Sequence, residues 1–400
     1  MPAPTLAEVL LATEFNPSER PFLARVHARL RAAQARKGPR GSLVDSCVER
    51  LIANEPLAPA EAEALLTEMI GTEIADDQIG ALLVALQPDL LSAEVLAAFA
   101  RVMRERAPRV SPRLLEGEVL ADTCGTGTDT LGTFNVSTTI MFILGAAGIK
   151  IAKHGNVAVT SRCGSADVLR ALDVHIELGA PAVEACINDV GVGFMFAPLF
   201  HTAFRNVQRI RRILADEMPG NVRARTVFNV LGPLANPAAV QAQILGVYSP
   251  TLLETCAHAL RMLGVSRALV AFGEIDGSTA GLDEFSTAGR TLVAELDRSG
   301  ALSTWEIAPE AVGLRRTPDP RAYQGGDTKT NAQILLDILA GREQGPRMDL
   351  ALMNAGAGLY VCGKAASVAE GVTLARGLVQ SGAPLRTFQR FQAKTLALRP

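Results

Sequence analysis

Residues 122–167 read DTCGTGTDTLGTFNVSTTIMFILGAAGIKIAKHGNVAVTSRCGSAD, and the fold turns on how this stretch divides. A short apolar run ends at Ala121, a loop containing Gly125, Gly127 and Gly132 follows, and an apolar helical segment begins near Ser137. The order is strand, glycine loop, helix N-terminus. Glycines let a backbone approach a ligand closely, and unpaired amides at a helix start favour an anion, with phosphate the obvious candidate. The dinucleotide fingerprint fails because no third glycine sits at the required spacing, and the nucleotide P-loop fails because no Gly-Lys-Ser/Thr follows. Asp129 inside the loop would repel a phosphate unless a cation or a sugar hydroxyl lies between them. A phosphorylated sugar with magnesium meets that condition. Asn135, Ser137, Thr138, Lys153, His154 and Asn156 add polar groups at the helix start and after the next apolar run. Loop composition alone also permits a plain glycine turn with an ordinary helix cap.

The chain of 400 residues is long enough for a sizeable core and for two domains, one large and one small. Its hydrophobic fraction of 48% and charged fraction of 20% are those of a soluble globular protein. A net charge of −2 gives no electrostatic reason to expect nucleic acid. Six cysteines (Cys47, Cys124, Cys163, Cys186, Cys256 and Cys362) are scattered without metal-finger spacing, as expected of a reducing compartment. Glu8 and Glu14 interrupt the first apolar stretch, and no apolar run reaches membrane-spanning length, so a cytoplasmic protein with no membrane partner is expected.

Residues 1–41 end in the basic run AAQARKGPRG and read as an extension with a linker. From Ser42 to about Ala107 the pattern is helical. Pro59 suits a first turn, Asp76 and Asp77 can cap, and Ile79, Leu82, Leu83 and Leu86, then Val95, Leu96, Phe99, Val102 and Met103, repeat at helical spacing. From about Glu118, apolar runs such as Ile149 to Ala152, Leu269 to Phe272 and Leu292 to Leu296 alternate with helical stretches and glycine loops. That alternation predicts an α/β fold with a mainly parallel central sheet, preceded by a small helical domain. The boundaries read from the sequence are 42–112 for the helical domain and 113–400 for the α/β domain. Short amphipathic helices need partners, so a homodimer through Ile79, Leu83, Phe99 and Met103 is expected.

GTGTD followed by TFNVST, and then KHGNVAVTSRCGSAD, resembles the anthranilate phosphoribosyltransferase family, whose pattern reads GTGGD, FN-I/V-ST, KHGNR and S-x-S/C-GSAD. NAGAGLYVCGKAASVAEGVTLARGLVQSG extends the resemblance over roughly Ser42 to Gly382. The resemblance implies transfer of a phosphoribosyl group from 5-phosphoribosyl 1-pyrophosphate to the amine of anthranilate in tryptophan biosynthesis. It places Gly125, Thr128, Asp129, Thr133, Asn135, Val136, Ser137, Thr138, Lys153 and Ser165 around the donor. It gives magnesium to Ser137 and to the adjacent Asp283 and Glu284 of GEIDGSTAGLDEFSTAG. It puts Gly125, His154, Asn156, Arg205 and Pro233 around anthranilate, with His154 and Asn156 as positioning residues and no covalent nucleophile. It also implies that the helical domain carries the homodimer contact. Without the resemblance, Lys153 reads as a solvated surface lysine, Asp283–Glu284 as an exposed acidic turn, and Arg205 as a helix surface residue.

The chain departs from the family pattern at Thr128, at Val157 in place of the arginine of KHGNR, and at Thr202, Phe204 and Asn206. An insertion around ADEMPGNVRA precedes RTVFN. These departures touch the acceptor side more than the donor side. The rival readings are transfer to another aromatic acid, a pyrimidine nucleoside phosphorylase, and a non-catalytic nucleic-acid-binding relative. Retention of Asp283 and Glu284 and the slightly acidic balance stand against the last two.

Overall fold

The computed structural model describes residues 42–53, 55–70, 74–127, 131–158, 163–217 and 226–399. The extension 1–41, Thr128, Asp129 and residues 218–225 of the insertion lie outside the described residues. Contacts divide the chain into two units. One takes the residues up to Ala107 together with His201–Leu231, and the other takes Pro108–Phe200 and the chain from Gly232 onward. Beside boundaries read at 112/113, this division moves residues 201–231 to the helices.

The helical unit contains Ser42–Ile52, Pro59–Met69, Asp76–Ala85, Ala93–Glu105 and Arg205–Glu217. Local chemistry starts these helices: Pro59 fills a first turn, Glu61 accepts the Ala58 N–H at 2.8 Å, and the Ser92 hydroxyl accepts the Val95 N–H at 3.4 Å. Long-range chemistry brings in the helix Arg205–Glu217. Arg209 pairs with the wholly buried Asp76, and Arg211 donates to Asn229 Oδ1 at 3.2 Å with its guanidinium 5.7 Å from the Phe228 ring. Burial pulls Arg211 down to about 10. Ile79, Leu83, Phe99 and Met103 are only 0–4% exposed in the single chain. The expectation that these four carry a dimer contact is therefore corrected: Asp76–Ala85 packs on Ser42–Ile52 and Arg205–Glu217, and Ala93–Glu105 packs on Pro59–Met69, within the unit.

The second unit is built on a sheet ordered β3-β2-β1-β4-β5-β7-β8, with β6 pairing β5. The strands are β1 (Leu120–Gly125), β2 (Lys150–Gly155), β3 (Val192–Phe196), β4 (Ala242–Gly246), β5 (Arg267–Glu274), β6 (Gly281–Leu282), β7 (Thr291–Leu296) and β8 (Leu302–Ile307). Neighbours from β3 to β5 are parallel, and β6, β7 and β8 are antiparallel to the strands they pair with. The chain order reverses between β1 and β4, which makes their carboxyl ends a topological switch point, the place where open α/β sheets hold ligands. The helix Val136–Ala146 packs on β1 and β2, and Phe142 meets Phe388 edge-on at 5.2 Å and Phe391 at 5.8 Å from the helix Ala383–Ala397. All six cysteines are free and buried. Among the described residues, no helix is long and apolar enough to cross a membrane.

Phe142→Ala should open a cavity between these helices and lower the unfolding free energy by about 3–5 kcal/mol. A urea titration should show a reduced midpoint with an unchanged slope.

Candidate active site

The site grows from the carboxyl ends of β1 and β4, where Gly125 and Gly246 are partners in register. β5 and β6 form a hairpin that delivers Asp283 directly after Leu282, with Gly273 paired to Leu282. Asp283 then lies across both strand ends. A Cβ at Gly246 would overlap the Asp283 carbonyl oxygen, a Cβ at Gly125 would come 2.6 Å from Oδ2, and one at Gly273 would come 2.5 Å from the Glu284 carbonyl. None of these three glycines has a positive φ, so they are required for space and not for backbone conformation. The carboxylate accepts the Gly127 N–H at 2.5 Å and the Thr126 hydroxyl at 3.4 Å, while the Thr126 N–H donates to the Gly246 carbonyl at 3.0 Å. Asp283 is 6% exposed, so the pair is no exposed acidic turn.

Asn135 precedes the helix Val136–Ala146, whose first turn holds the buried Val136 and Thr138 and the half-buried Ser137. Lys153, from the middle of β2, is 2% exposed. Its Nζ donates to the Thr123 carbonyl and to Ser137 Oγ at 3.1 Å. The structure thus replaces the solvated lysine with a buried one that orients a serine. Burial lowers the Lys153 pKa, against the opposing fields of Asp122, Cys124 and Glu284. Burial raises that of Asp122, which Lys153 opposes and whose Oδ2 accepts from Asn236 at 2.7 Å. Both partners move toward their neutral forms, so loss of water outweighs their mutual attraction. Thr133 forms an isolated bridge with Gln324, and the Phe134 N–H donates to the Tyr323 carbonyl at 3.1 Å.

At the end of β2, Gly155 leaves room for the Ser165 hydroxyl, which donates to the Asn156 carbonyl at 3.3 Å. Asp167 closes this turn by accepting the Gly164 N–H at 2.9 Å and the Ala158 N–H at 2.8 Å. The Asn156 side-chain carbonyl accepts the Val157 N–H at 2.8 Å, which commits one lone pair to the loop itself. His154 is buried, faces the Gly232 carbonyl through Nδ1 at 3.3 Å, and is pulled down to about 4 by burial first and by Lys153. Neutral imidazole with the proton on Nδ1 satisfies that carbonyl. Pro233 is buried, with its carbonyl accepting from Gln243 Nε2 at 2.8 Å.

The structure therefore gathers Gly125, Thr133, Asn135, Val136, Ser137, Thr138, Lys153, His154, Asn156, Ser165, Pro233, Asp283 and Glu284 in one unit. Arg205 belongs to the helical unit, exposed on the first turn of its helix, beside the buried Phe204. Asp122, Asn236, Gly246 and Gly273 were not legible as site residues. The two glycines close apolar runs as Gly125 does, which was the available signal. Asp283, Glu284 and Ser137 each carry hard oxygen donors. No group of three or more His, Cys, Asp or Glu suited to a metal occurs among the described residues. Magnesium fits such a set, since it takes one or two carboxylates and completes its shell with water and substrate phosphate.

Residues 117–385 match the family described as "Glycosyl transferase family, a/b domain", and residues 46–107 the one described as "Glycosyl transferase family, helical bundle domain". The anthranilate phosphoribosyltransferase of Rubrobacter xylanophilus is 45% identical over 349 residues, 87% of this chain and 96% of that protein. That of an Anaeromyxobacter species is 43% identical over 353 residues, 88% of this chain and 99% of that protein. The crystal structure of anthranilate phosphoribosyltransferase from Thermus thermophilus matches with a TM-score of 0.77 at 38% identity, covering 87% of this chain and 99% of that one. The Saccharomyces cerevisiae enzyme in complex with PRPP and Mg matches with a TM-score of 0.75 at 28% identity, covering 88% and 98%.

His154 offers a test of the site's electrostatics. Its folded pKa of about 4 lies below the free value of 6.5, so between these limits the unfolded chain takes up the extra proton. The stability this contributes is complete above pH 6.5 and falls as pH drops toward 4. The stability difference between the parent and His154→Gln should therefore shrink from pH 7 to pH 5 in urea titrations, and the imidazole should stay neutral at pH 5.5 by NMR.

Proposed function

The chain belongs to the anthranilate phosphoribosyltransferase family, and we infer that it transfers the phosphoribosyl group of 5-phosphoribosyl 1-pyrophosphate to the amine of anthranilate, releasing pyrophosphate in tryptophan biosynthesis. The observation that carries this is the relatedness at 45% identity over nearly the whole length of a curated enzyme. The acidic loop seated on Gly125 and Gly246 supports the reading.

In this reading the donor phosphates lie against Gly125, Thr128, Asp129, Thr133, Asn135, Val136, Ser137, Thr138, Lys153 and Ser165. The first turn of the helix Val136–Ala146 turns its amides and positive dipole end toward them. Lys153 acts mainly through the Ser137 hydroxyl that it orients. Asp283, Glu284 and Ser137 would hold magnesium, which when bound neutralises charge on the leaving pyrophosphate. The bond from C1 to the pyrophosphate oxygen breaks with oxocarbenium character as the bond to the anthranilate nitrogen forms. An arylamine is neutral and weakly nucleophilic, so it needs placement more than deprotonation. Arg205 pairs with the acceptor carboxylate, Asn156 and the neutral His154 flank the amine, and Pro233 lies along the ring. The aryl-ammonium formed is a strong acid, so a weakly basic group suffices to take its proton.

We also propose that the protein is a cytoplasmic homodimer joined through its helical unit. Leu90, 72% exposed in the short turn Pro88–Leu90 of that unit, supports such a contact. Light scattering at micromolar concentration should return twice the chain mass. A monomer mass would exclude the dimer.

Release of pyrophosphate from phosphoribosyl pyrophosphate should require both magnesium and anthranilate, and benzoates lacking the ortho amine should not support it. Arg205→Ala should raise the anthranilate KM about tenfold or more while the donor KM changes less than about twofold, because only the acceptor loses its charge partner. Equal effects on both substrates would remove Arg205 from the acceptor site.

A further inference from the structure

Two buried side chains, Asn354 at the head of the NAGAGLYVCGK segment and Tyr323, hold the acidic loop from behind. Asn354, in the helix Pro346–Val361, is wholly buried. It accepts the Phe285 N–H through Oδ1 at 2.9 Å and donates through Nδ2 to the Phe285 and Leu350 carbonyls, both at 2.9 Å. An amide that both gives and takes at one residue fixes its own orientation and the peptide groups on both sides of that residue. Here that residue directly follows Glu284. Farther on, the Thr287 hydroxyl meets the Tyr323 hydroxyl at 2.5 Å and the Thr317 hydroxyl at 3.1 Å. Tyr323 is also fully buried, and its own carbonyl receives the Phe134 N–H at 3.1 Å. Tyr323 therefore ties the acidic loop to the far end of the glycine loop, while Asp283 ties it to the near end through Gly127.

We propose that Asn354 and Tyr323 are positioning residues for the magnesium–pyrophosphate subsite, Asn354 by fixing the peptide after Glu284 and Tyr323 by holding the two loops at one spacing. The proposal rests on the reading in which Asp283 and Glu284 hold the metal. A loop released from this clamp spends part of its time out of place, and the apparent metal affinity falls by that fraction. A role in stability alone would shift the unfolding midpoint and leave the metal affinity of the folded protein unchanged.

Calorimetric titration of magnesium, with inorganic pyrophosphate present and no acceptor, reads this without turnover. Asn354→Ala should raise the magnesium Kd about tenfold and Tyr323→Phe about threefold, with the anthranilate KM within about twofold of the parent in both. Tyr323→Phe removes one oxygen and leaves the Thr287–Thr317 contact, so it decides the matter alone if Asn354→Ala does not fold. A folded Asn354→Ala, or failing that Tyr323→Phe, with a Kd within about twofold of the parent overturns the proposal. The double variant Asp283→Asn, Glu284→Gln separates the two levels. If it binds magnesium as the parent does, the metal assignment has failed. If it loses binding while the Asn354 and Tyr323 variants keep it, only the clamp has failed.

Discussion

Asp283 occupies volume that exists only because two strands end without a side chain. Gly125 and Gly246 are in register at the switch point of the sheet, and the peptide of Asp283 fills the gap between them. The glycine loop takes its position from this contact, since the Gly127 N–H and the Thr126 hydroxyl both donate to the seated carboxylate. A carboxylate brought this close to a backbone amide is held by a charge-assisted hydrogen bond, roughly twice as strong as a neutral one. Glu284, next in the chain, acts on Lys153 through its charge, so a packing constraint becomes an electrostatic arrangement.

The interior beneath the site shows which force prevails. Asp122 and Lys153 come from adjacent parallel strands and sit within each other's fields, yet both are pushed toward neutrality because burial costs each more than the pair returns. Such a pair is poor evidence of stability. Its use here is geometric: Asn236 and the Thr123 carbonyl hold its two ends, and the lysine hands a fixed direction to Ser137.

Much of the fold was legible because its signals are local. The apolar runs at Leu269–Phe272 and Leu292–Leu296 fall in β5 and β7, and a helix starts beside Ser137. What escaped depends on partners far away in the chain. Nothing near Arg209 announces that its partner is Asp76, yet that pair helps assign residues 201–231 to the helices. Lys153 resembled a surface residue because β2 enters the core without a local sign of its depth. Gly246 and Gly273 are ordinary strand-end glycines until the loop that covers them is known. The apolar positions at Ile79 and Phe99 were correctly read as helical faces, but sequence periodicity does not say whether the partner of such a face is the same chain or another.

The distances along the chain also set an order in time. Of the parts of the site, a ribosome delivers residues 122–167 first, so the strand, glycine loop and helix that announce a phosphate site emerge before the loop that seats against them. The seat arrives with Gly246 and Asp283, and its buried anchor only with Asn354. In the helical unit the carboxylate of Asp76 must wait 133 residues for Arg209. A nascent chain therefore carries an uncompensated acid until Arg209 emerges and an incomplete acidic seat until Asn354 does. A ligand that needs the complete seat cannot stabilise the chain by mass action before these residues have emerged.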